Sequence, residues 1–233
     1  MKKQLSYRVL FYVIGLLILA MGLTLNTKAG LGVSPIISVS YSVAEIFRLN
    51  FGNTTLLLYC LLVVVELILH SVSGCGKTQR DQKIVLLMDV LQIPLSLIFT
   101  RFLNWFGSLV LQFFSGADGW MEQFPLRVLI LALAIICTGI GGSMSLSMRV
   151  VPNPGDGVVQ TLADCTRKNI GLVKNCFDLC NITITIVLGM LLAGHLVGIG
   201  VGTVLAVIGV GRIMALFHSL AGRKIETLAG VAG

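Results

Sequence analysis

Charged residues are scarce in this chain. Only 12% of its 233 residues are Asp, Glu, Lys or Arg, whereas 56% are hydrophobic and the mean hydropathy is +0.95. Because a soluble domain usually carries about 25% charged residues, lipid must be the solvent for most of the chain. The composition excludes a large soluble domain. It predicts an all-α fold, a polytopic membrane helix bundle that forms a single integral membrane domain over residues 1–233.

Motifs for catalysis, metal binding and nucleotide binding are also missing. The sequence contains no CxxC pair, no GxSxG, no HExxH and no Walker motif, and its three histidines are isolated. The glycine-rich run 198–211 does not follow a strand, as a dinucleotide site would require. The net charge of +7 comes without the basic and aromatic patch that binds single strands. We therefore expect no enzyme, no metal, no cofactor and no nucleic acid.

Most of the sequence consists of long apolar segments. Between them lie two short segments, each interrupted by Gly and Pro residues. A short segment of about fifteen residues would reach only ~22 Å, against a hydrocarbon core of ~30 Å. We therefore predict two broken or re-entrant helices over about 34–49 and 157–168. The six predicted transmembrane helices cover residues 8–27, 54–71, 84–106, 127–148, 175–193 and 201–220.

The distribution of Lys and Arg indicates how these segments are oriented. With six spans and a cytoplasmic N-terminus, twelve basic residues fall inside and four outside; eight spans would give eleven and five. Six spans are favoured, which predicts a multi-pass protein of the bacterial inner membrane. The lipid bilayer is its first expected partner.

Each half of the chain has the same order of elements: long, break, short, long, long. We interpret residues 8–106 and 127–220 as two internal repeats, inverted relative to each other. Ser34 and Asp156 are 122 residues apart, as are Asn53 and Asn175, which suggests that spacing for the repeat. Paired broken segments are the best sequence indication of a transporter-type site.

The predicted site lies where the two breaks meet. Ser34 is expected to cap a short helix with Pro35 at its first position. Asp156 has two interpretations, a plain helix cap or a binding residue at a helix start directed into the bundle. Helix starts near Lys28 and Arg149 would suit an anion, whereas Asp156 favours a cation or proton, so the charge of the ligand stays open. The candidate binding residues of the breaks are Gly32, Ser34, Pro35, Pro154, Gly155, Asp156 and Gly157.

Three charged residues lie inside apolar segments, where a charge usually faces a partner or a cavity. Asp89, Asp178 and Arg212 are therefore added to the site, with Arg212 expected to pair with one of the acidic residues. The alternative is a structural ion pair that fixes helix packing. Glu45 and Glu66 lie near segment ends and are interpreted as solvated.

Several short motifs fall in the second half of the chain, with one counterpart in the first half. They are residues 153–157 (NPGDG), 166–168 (TRK), 191–194 (LLAG), 197–203 (VGIGVGT) and, in the first half, 30–35 (GLGVSP). With these motifs the chain resembles the YczE/YyaS/YitT family of bacterial integral membrane proteins over nearly its whole length. The resemblance implies a polytopic inner-membrane protein of uncharacterised activity and supplies no substrate.

Two positions depart from that family's pattern. Gly155 stands where the family often has Arg, which weakens the case for an anion site. Arg212 follows Gly211 where the family often has Gly-Pro, and we interpret it as a compensation for the missing Arg.

Three functions fit these observations. The first is a small-solute transporter or channel-like protein with a polar site between the two broken helices. The second is an accessory or regulatory protein that binds another membrane protein or a biosynthetic complex and transports nothing. An intramembrane enzyme is third, since no converging nucleophile and base can be found. Self-association of the chain is left open.

Overall fold

The structure is a computed structural model that describes residues 2–73, 79–114 and 123–231, all of whose regular elements are helices. Within these ranges the α-helices are α1 Lys2–Ala29, α2 Pro35–Phe47, α3 Phe51–Ser73, α4 Gln79–Phe114, α5 Phe124–Ser147, α6 Pro154–Thr166, α7 Ile170–Leu188, α8 Val201–Phe217 and α9 Arg223–Leu228. Wide π-helical turns extend α7 over Gly189–Ala193 and join α8 to α9 over His218–Gly222.

Six helical segments of the described chain are long and apolar enough to cross a membrane, which confirms the predicted polytopic helix bundle. Their outer faces carry exposed Leu, Ile and Val side chains, for example Leu191 and Val201. In a bilayer such faces contact lipid rather than water, so their exposure needs no further partner.

Several predicted boundaries were wrong. Helix α4 continues to Phe114, beyond the expected end at 106, and Pro94 lies inside it. Helix α7 begins at Ile170 rather than 175, because Asn169 caps it by accepting a hydrogen bond from the backbone N–H of Gly171 at 2.8 Å. The expected tail after residue 220 is helical, since α9 runs to Leu228. We also expected a polar loop over residues 73–83: residues 74–78 lie outside the described residues, whereas Ser73 ends α3 and residues 79–83 belong to α4.

The two short helices are built alike. Helices α2 and α6 each contain 13 residues and each begin with a proline. Each ends at an arginine in the left-handed conformation, Arg48 and Arg167, both with φ of 54°. Pro35 and Pro154 are 119 residues apart, as are Arg48 and Arg167. The expected spacing of 122 was therefore wrong, because it aligned Ser34 with a residue inside the first turn of α6.

The first long helices of the two halves form the most extensive interface of the bundle. Gly22 of α1 lies against the backbone of Thr138, and Gly141 of α5 lies against the backbone of Leu19. Gly141 lies 119 residues after Gly22, and Thr138 lies 119 residues after Leu19, so the two contacts are equivalent in the two halves. Going from Leu19 to Gly22 along α1, the contact on α5 moves back from Gly141 to Thr138. Helices α1 and α5 are therefore antiparallel, as inverted repeats require. Small residues allow the two backbones to approach this closely.

Helix α6 begins inside the bundle and leaves it on the side where α3 ends. The Asn153 amide before its first turn donates a 3.2 Å hydrogen bond to Tyr59, near the middle of α3. Two turns later Thr161 lies 3.3 Å from His70, close to the end of α3. Helix α6 is thus a half helix rather than a span.

Helix α2 runs the opposite way. Ser38 lies 2.8 Å from Thr185, late in α7, and Ser40 accepts a 3.2 Å hydrogen bond from Thr55, early in α3. Its end therefore lies where α3 begins and α7 finishes. Together α2 and α6 are the two half helices that the sequence predicted, one leaving on each side.

Candidate functional site

The two half helices meet at their first turns. A Cβ atom on Gly155 would lie 2.5 Å from Cδ1 of Ile36, so only glycine lets these helix starts approach so closely. Ile36 and Gly155 are themselves 119 residues apart, so the contact lies where the two halves are related to each other. Both helix N-termini, with their partial positive charge, face the interior of the bundle at this point.

The first break is held by backbone contacts. Ser34 is the N-cap of α2 and Pro35 follows it, as predicted, but the Ser34 side chain makes no capping bond. Its backbone N–H instead donates to Asn26 of α1 at 2.6 Å. Gly32 has a φ of 109° and packs against Gly200, which only a residue without a Cβ atom allows. Gly32, Ser34 and Pro35 thus shape the backbone before α2, and none of them carries a charged side chain.

Asp156 does not cap α6. The N-cap is Asn153, with Pro154 at the first position and Asp156 in the first turn, so the capping interpretation was wrong. Half-buried Asp156 interacts electrostatically with Lys174 and Asp178 of α7. A carboxylate in the first turn also compensates the partial positive charge of the helix start, which weakens the break as an anion site.

Asp178 lies on the α7 side of α6. It is 7% exposed and forms a 3.8 Å ion pair with Lys174, one turn earlier. Its Oδ1 atom and the Nδ2 atom of buried Asn181 have no hydrogen-bond partner among the described residues. Asp178 therefore joins Asp156 in a small acidic cluster between α6 and α7.

Glu66 lies on the other side of α6, against Gly157. Its side chain is 1% exposed, and its Oε2 atom accepts a 2.7 Å hydrogen bond from the Gln92 amide. The other carboxyl oxygen, Oε1, has no partner in the described part of the chain. A Cβ atom on Gly157 would lie 2.7 Å from that Oε1, so the glycine leaves the space in which the carboxyl sits.

Asp89 lies beside Glu66 and is paired with a histidine. The Asp89 carboxyl interacts with that of Glu66 and lies 2.7 Å from Nδ1 of His70. The other ring nitrogen of His70 lies 3.3 Å from the Thr161 hydroxyl of α6. A continuous polar chain therefore links α4 and α3 to the half helix.

These side chains line a cavity of about 160 Å³ between α3, α4 and α6. That space is large enough to admit water. In the described part of the chain its ionisable lining consists of three acids and one histidine: Glu66, Asp89, Asp164 and His70. No Lys or Arg of that part lines it, and no group of three His, Cys, Asp or Glu there could hold a metal ion. The cavity favours a positively charged occupant.

Arg212 is not part of this arrangement. It is exposed on α8 and forms no ion pair within the described chain, so the expected pairing with Asp89, Asp156 or Asp178 was wrong. The physical reason is the course of α8, which packs against α5 and leaves this face of the helix at the surface. The idea that Arg212 compensates at the site for Gly155 loses its support.

Sequence reasoning missed Glu66, His70 and Gln92. Glu66 was expected to be solvated because it lies near the end of its apolar segment, whereas Glu45, given the same interpretation, is indeed exposed. A signal was available, since an ionisable residue inside an apolar run is a site candidate by default. Predicted Asp89 and Gly157 do line this cavity, Pro154 lines a separate small pocket beside Gln92, and Asp156 and Asp178 lie across α6 from the cavity.

Six apolar spans and two half helices that begin inside the bundle define the class, a multi-pass membrane protein with a polar cavity. The chain belongs to the family of unknown function (DUF6198), whose model matches residues 6–219.

Two relatives agree with this membership. The chain is 26% identical over 217 residues to "Uncharacterized membrane protein YczE" of Bacillus subtilis (strain 168), over 92% of this chain and 86% of that protein. It is 22% identical over 214 residues to "Uncharacterized protein YyaS" of the same organism, over 92% and 94%. No solved structure matches the chain. The resemblance stated from the sequence motifs is confirmed.

Proposed function

We propose that this protein is a small-solute transporter or channel-like protein whose polar site is the cavity between α3, α4 and α6. The observation that carries the proposal is the buried Glu66 carboxyl, which faces the cavity with one oxygen unpartnered. Burying such a group is costly, and in membrane proteins it usually marks a substrate or ion pathway. Half helices that begin inside the bundle are a recurrent feature of transporter sites.

The acidic lining supports a cation or proton as the transported species. Helix starts alone would suit an anion, but Glu66, Asp89 and Asp164 at the cavity and Asp156 in the first turn of α6 would repel one. The proposal also includes the inner membrane, a cytoplasmic N-terminus and no catalytic step. On that orientation the cavity lies nearer the cytoplasmic side, where α3 ends.

The proposal is tested by flux into liposomes that contain the purified protein. A potassium diffusion potential drives uptake, a trapped pH dye reports protons, and radioactive sodium and rubidium report alkali cations. We expect a potential-driven flux of at least one of these ions, reduced at least about tenfold in Glu66→Gln, which corresponds to about 1.4 kcal/mol.

Glu45→Gln is the matched control, because it removes an exposed carboxyl of a neighbouring helix. It should leave the flux unchanged. Flux no higher than in protein-free liposomes, or an equal flux in Glu66→Gln, would contradict the proposal.

A further inference from the structure

The cavity contains more acidic groups than a simple cation site needs, and two of them begin a series of polar side chains that ends on α6. Glu66 of α3 and Asp89 of α4 present two neighbouring carboxyls in a buried place. Two carboxylates so close together cannot both be ionised at low cost, so such a pair holds one proton between them. The Gln92 amide donates to Oε2 of Glu66, which leaves Oε1 as the atom that can carry the proton.

His70 and Thr161 continue this series of polar side chains toward the half helix α6. His70 joins Asp89 through Nδ1 at 2.7 Å and Thr161 through Nε2 at 3.3 Å. A histidine held between a carboxylate and a hydroxyl can accept a proton on one ring nitrogen and release one from the other. Because Thr161 belongs to α6, a change in the protonation of His70 also changes a hydrogen-bond contact of this half helix.

We propose that the cavity is a proton-exchange site, in which Glu66 and Asp89 share one proton and His70 relays it. A proton taken up at Nε2 of His70 allows the Nδ1 proton to pass to Oδ2 of Asp89. The proton already on Oε1 of Glu66 leaves into the cavity, and Asp89 then passes the relayed proton to Glu66, so the pair again holds one proton. Only N–H and O–H bonds form and break, and no electrons are transferred. The inference rests on the proposed function by naming its ion, but proton occupancy can be measured without any flux.

The charged groups on the helices that pack on α3 differ in whether they reach this site, and Asp156 of α6 and exposed Lys83 of α4 do not line the cavity. Helix α4 brings Asp89, α6 brings Asp164, and α3 itself brings His70. Helix α2 brings exposed Glu45, at the end of α2 away from the cavity. Arg101 of α4 bonds to Asn53 at the opposite end of α3, so it does not neutralise the pair. The acids therefore depend on a proton, rather than on a basic side chain of the described chain, to relieve their repulsion.

The test is a pH titration of the purified protein by infrared difference spectroscopy, which detects the C=O stretch of a protonated carboxyl. We expect a band that shifts in deuterated buffer, disappears as the pH rises and is missing in Glu66→Gln. Glu66→Asp should restore such a band, and Glu45→Gln should keep it. Asp89→Asn removes the neighbouring carboxyl, so the pH at which the Glu66 band disappears should change.

Each outcome decides the inference. If Glu66→Gln loses no part of the wild-type band, or if Asp89→Asn leaves the titration unmoved, the shared proton is overturned. If sodium chloride abolishes the band at a pH where choline chloride does not, an alkali cation occupies the site and the proton assignment is overturned. If the band behaves as expected while the liposomes show no flux, the proton site stands and the transport proposal fails.

Discussion

The two half helices have the same backbone plan but opposite surroundings. In the first half, Ser38 of α2 contacts Thr185 of α7 directly at 2.8 Å. The equivalent pair of positions is Gly157 of α6, which lies 119 residues after Ser38, and Glu66 of α3, which lies 119 residues before Thr185. There a glycine leaves room and a carboxyl occupies it beside a cavity.

The difference shows how one scaffold carries a site on only one side. Two hydroxyls close the contact between α2 and α7, because one can donate a hydrogen bond to the other at 2.8 Å. Replacing one by glycine and the other by a long acid creates space and charge at the equivalent place. The chemistry of the site therefore comes from side chains that break the internal symmetry, while the symmetry itself supplies the half helices.

The largest effects are expected where the two halves are alike. Gly22→Val and Gly141→Val would each place side-chain atoms against backbone of the opposite helix, where nothing can give way. We expect each to destabilise the protein by about 3 kcal/mol, the upper end for overpacking, and to abolish a monodisperse peak in detergent. Gly211→Val is the control, because a Cβ atom there meets nothing within 4 Å. A tolerated change at one position but not at the other would break the equivalence of the two halves.

A loss of function without unfolding is expected where the halves differ. Gly157→Ala would place a Cβ atom 2.7 Å from the Glu66 carboxyl, the flexible end of a side chain that can move aside. We expect a folded protein whose ion flux in liposomes falls about tenfold, or by about 1.4 kcal/mol. Gly107→Ala, on an open face of α4, should keep the wild-type flux. Full activity in Gly157→Ala would show that the position of Glu66 does not matter.

The smallest effect is expected at the sealed contact. Ser38 and Thr185 each also lie within hydrogen-bond distance of a carbonyl of their own helix. Ser38→Ala should therefore cost only about 1 kcal/mol, as for one neutral hydrogen bond, visible as a slightly lower unfolding temperature in detergent. The flux should stay at the wild-type level. A large loss of flux in Ser38→Ala would place part of the pathway in the first half and break the contrast drawn above.

Much of the architecture was predictable from local sequence. Long apolar runs define the spans, and Ser34 followed by Pro35 marks a helix start because a cap and a fixed φ favour it. The second start was placed about three residues late, since Asp156 is as good a capping residue by type as Asn153. That error also produced the spacing of 122. Residues 42–52 matched against 161–171 at a spacing of 119 would have corrected it, because Arg48 matches Arg167 and Asn50 matches Asn169.

The candidate site was predictable only in part. Asp89 was identified because a charge in an apolar run is rare, but the expectation that Arg212 pairs with one of Asp89, Asp156 and Asp178 was wrong. His70 lies 19 residues from Asp89 on another helix, so no local pattern connects them. Glu66 was set aside because distance from a segment end measures depth along the helix, not the direction in which a side chain faces.

By itself, the sequence determined the class of the protein, since a charge content this low leaves lipid as the only suitable solvent and helices as the only way to satisfy the backbone. It also determined that two short helices would fall short of a span. Only the tertiary structure decided which acids are buried together, because that depends on the rotation of α3 and α4 about their axes and on the course of α6 between them. The contrast between Gly157 with Glu66 and Ser38 with Thr185 is a property of helix pairs, which no single stretch of sequence contains.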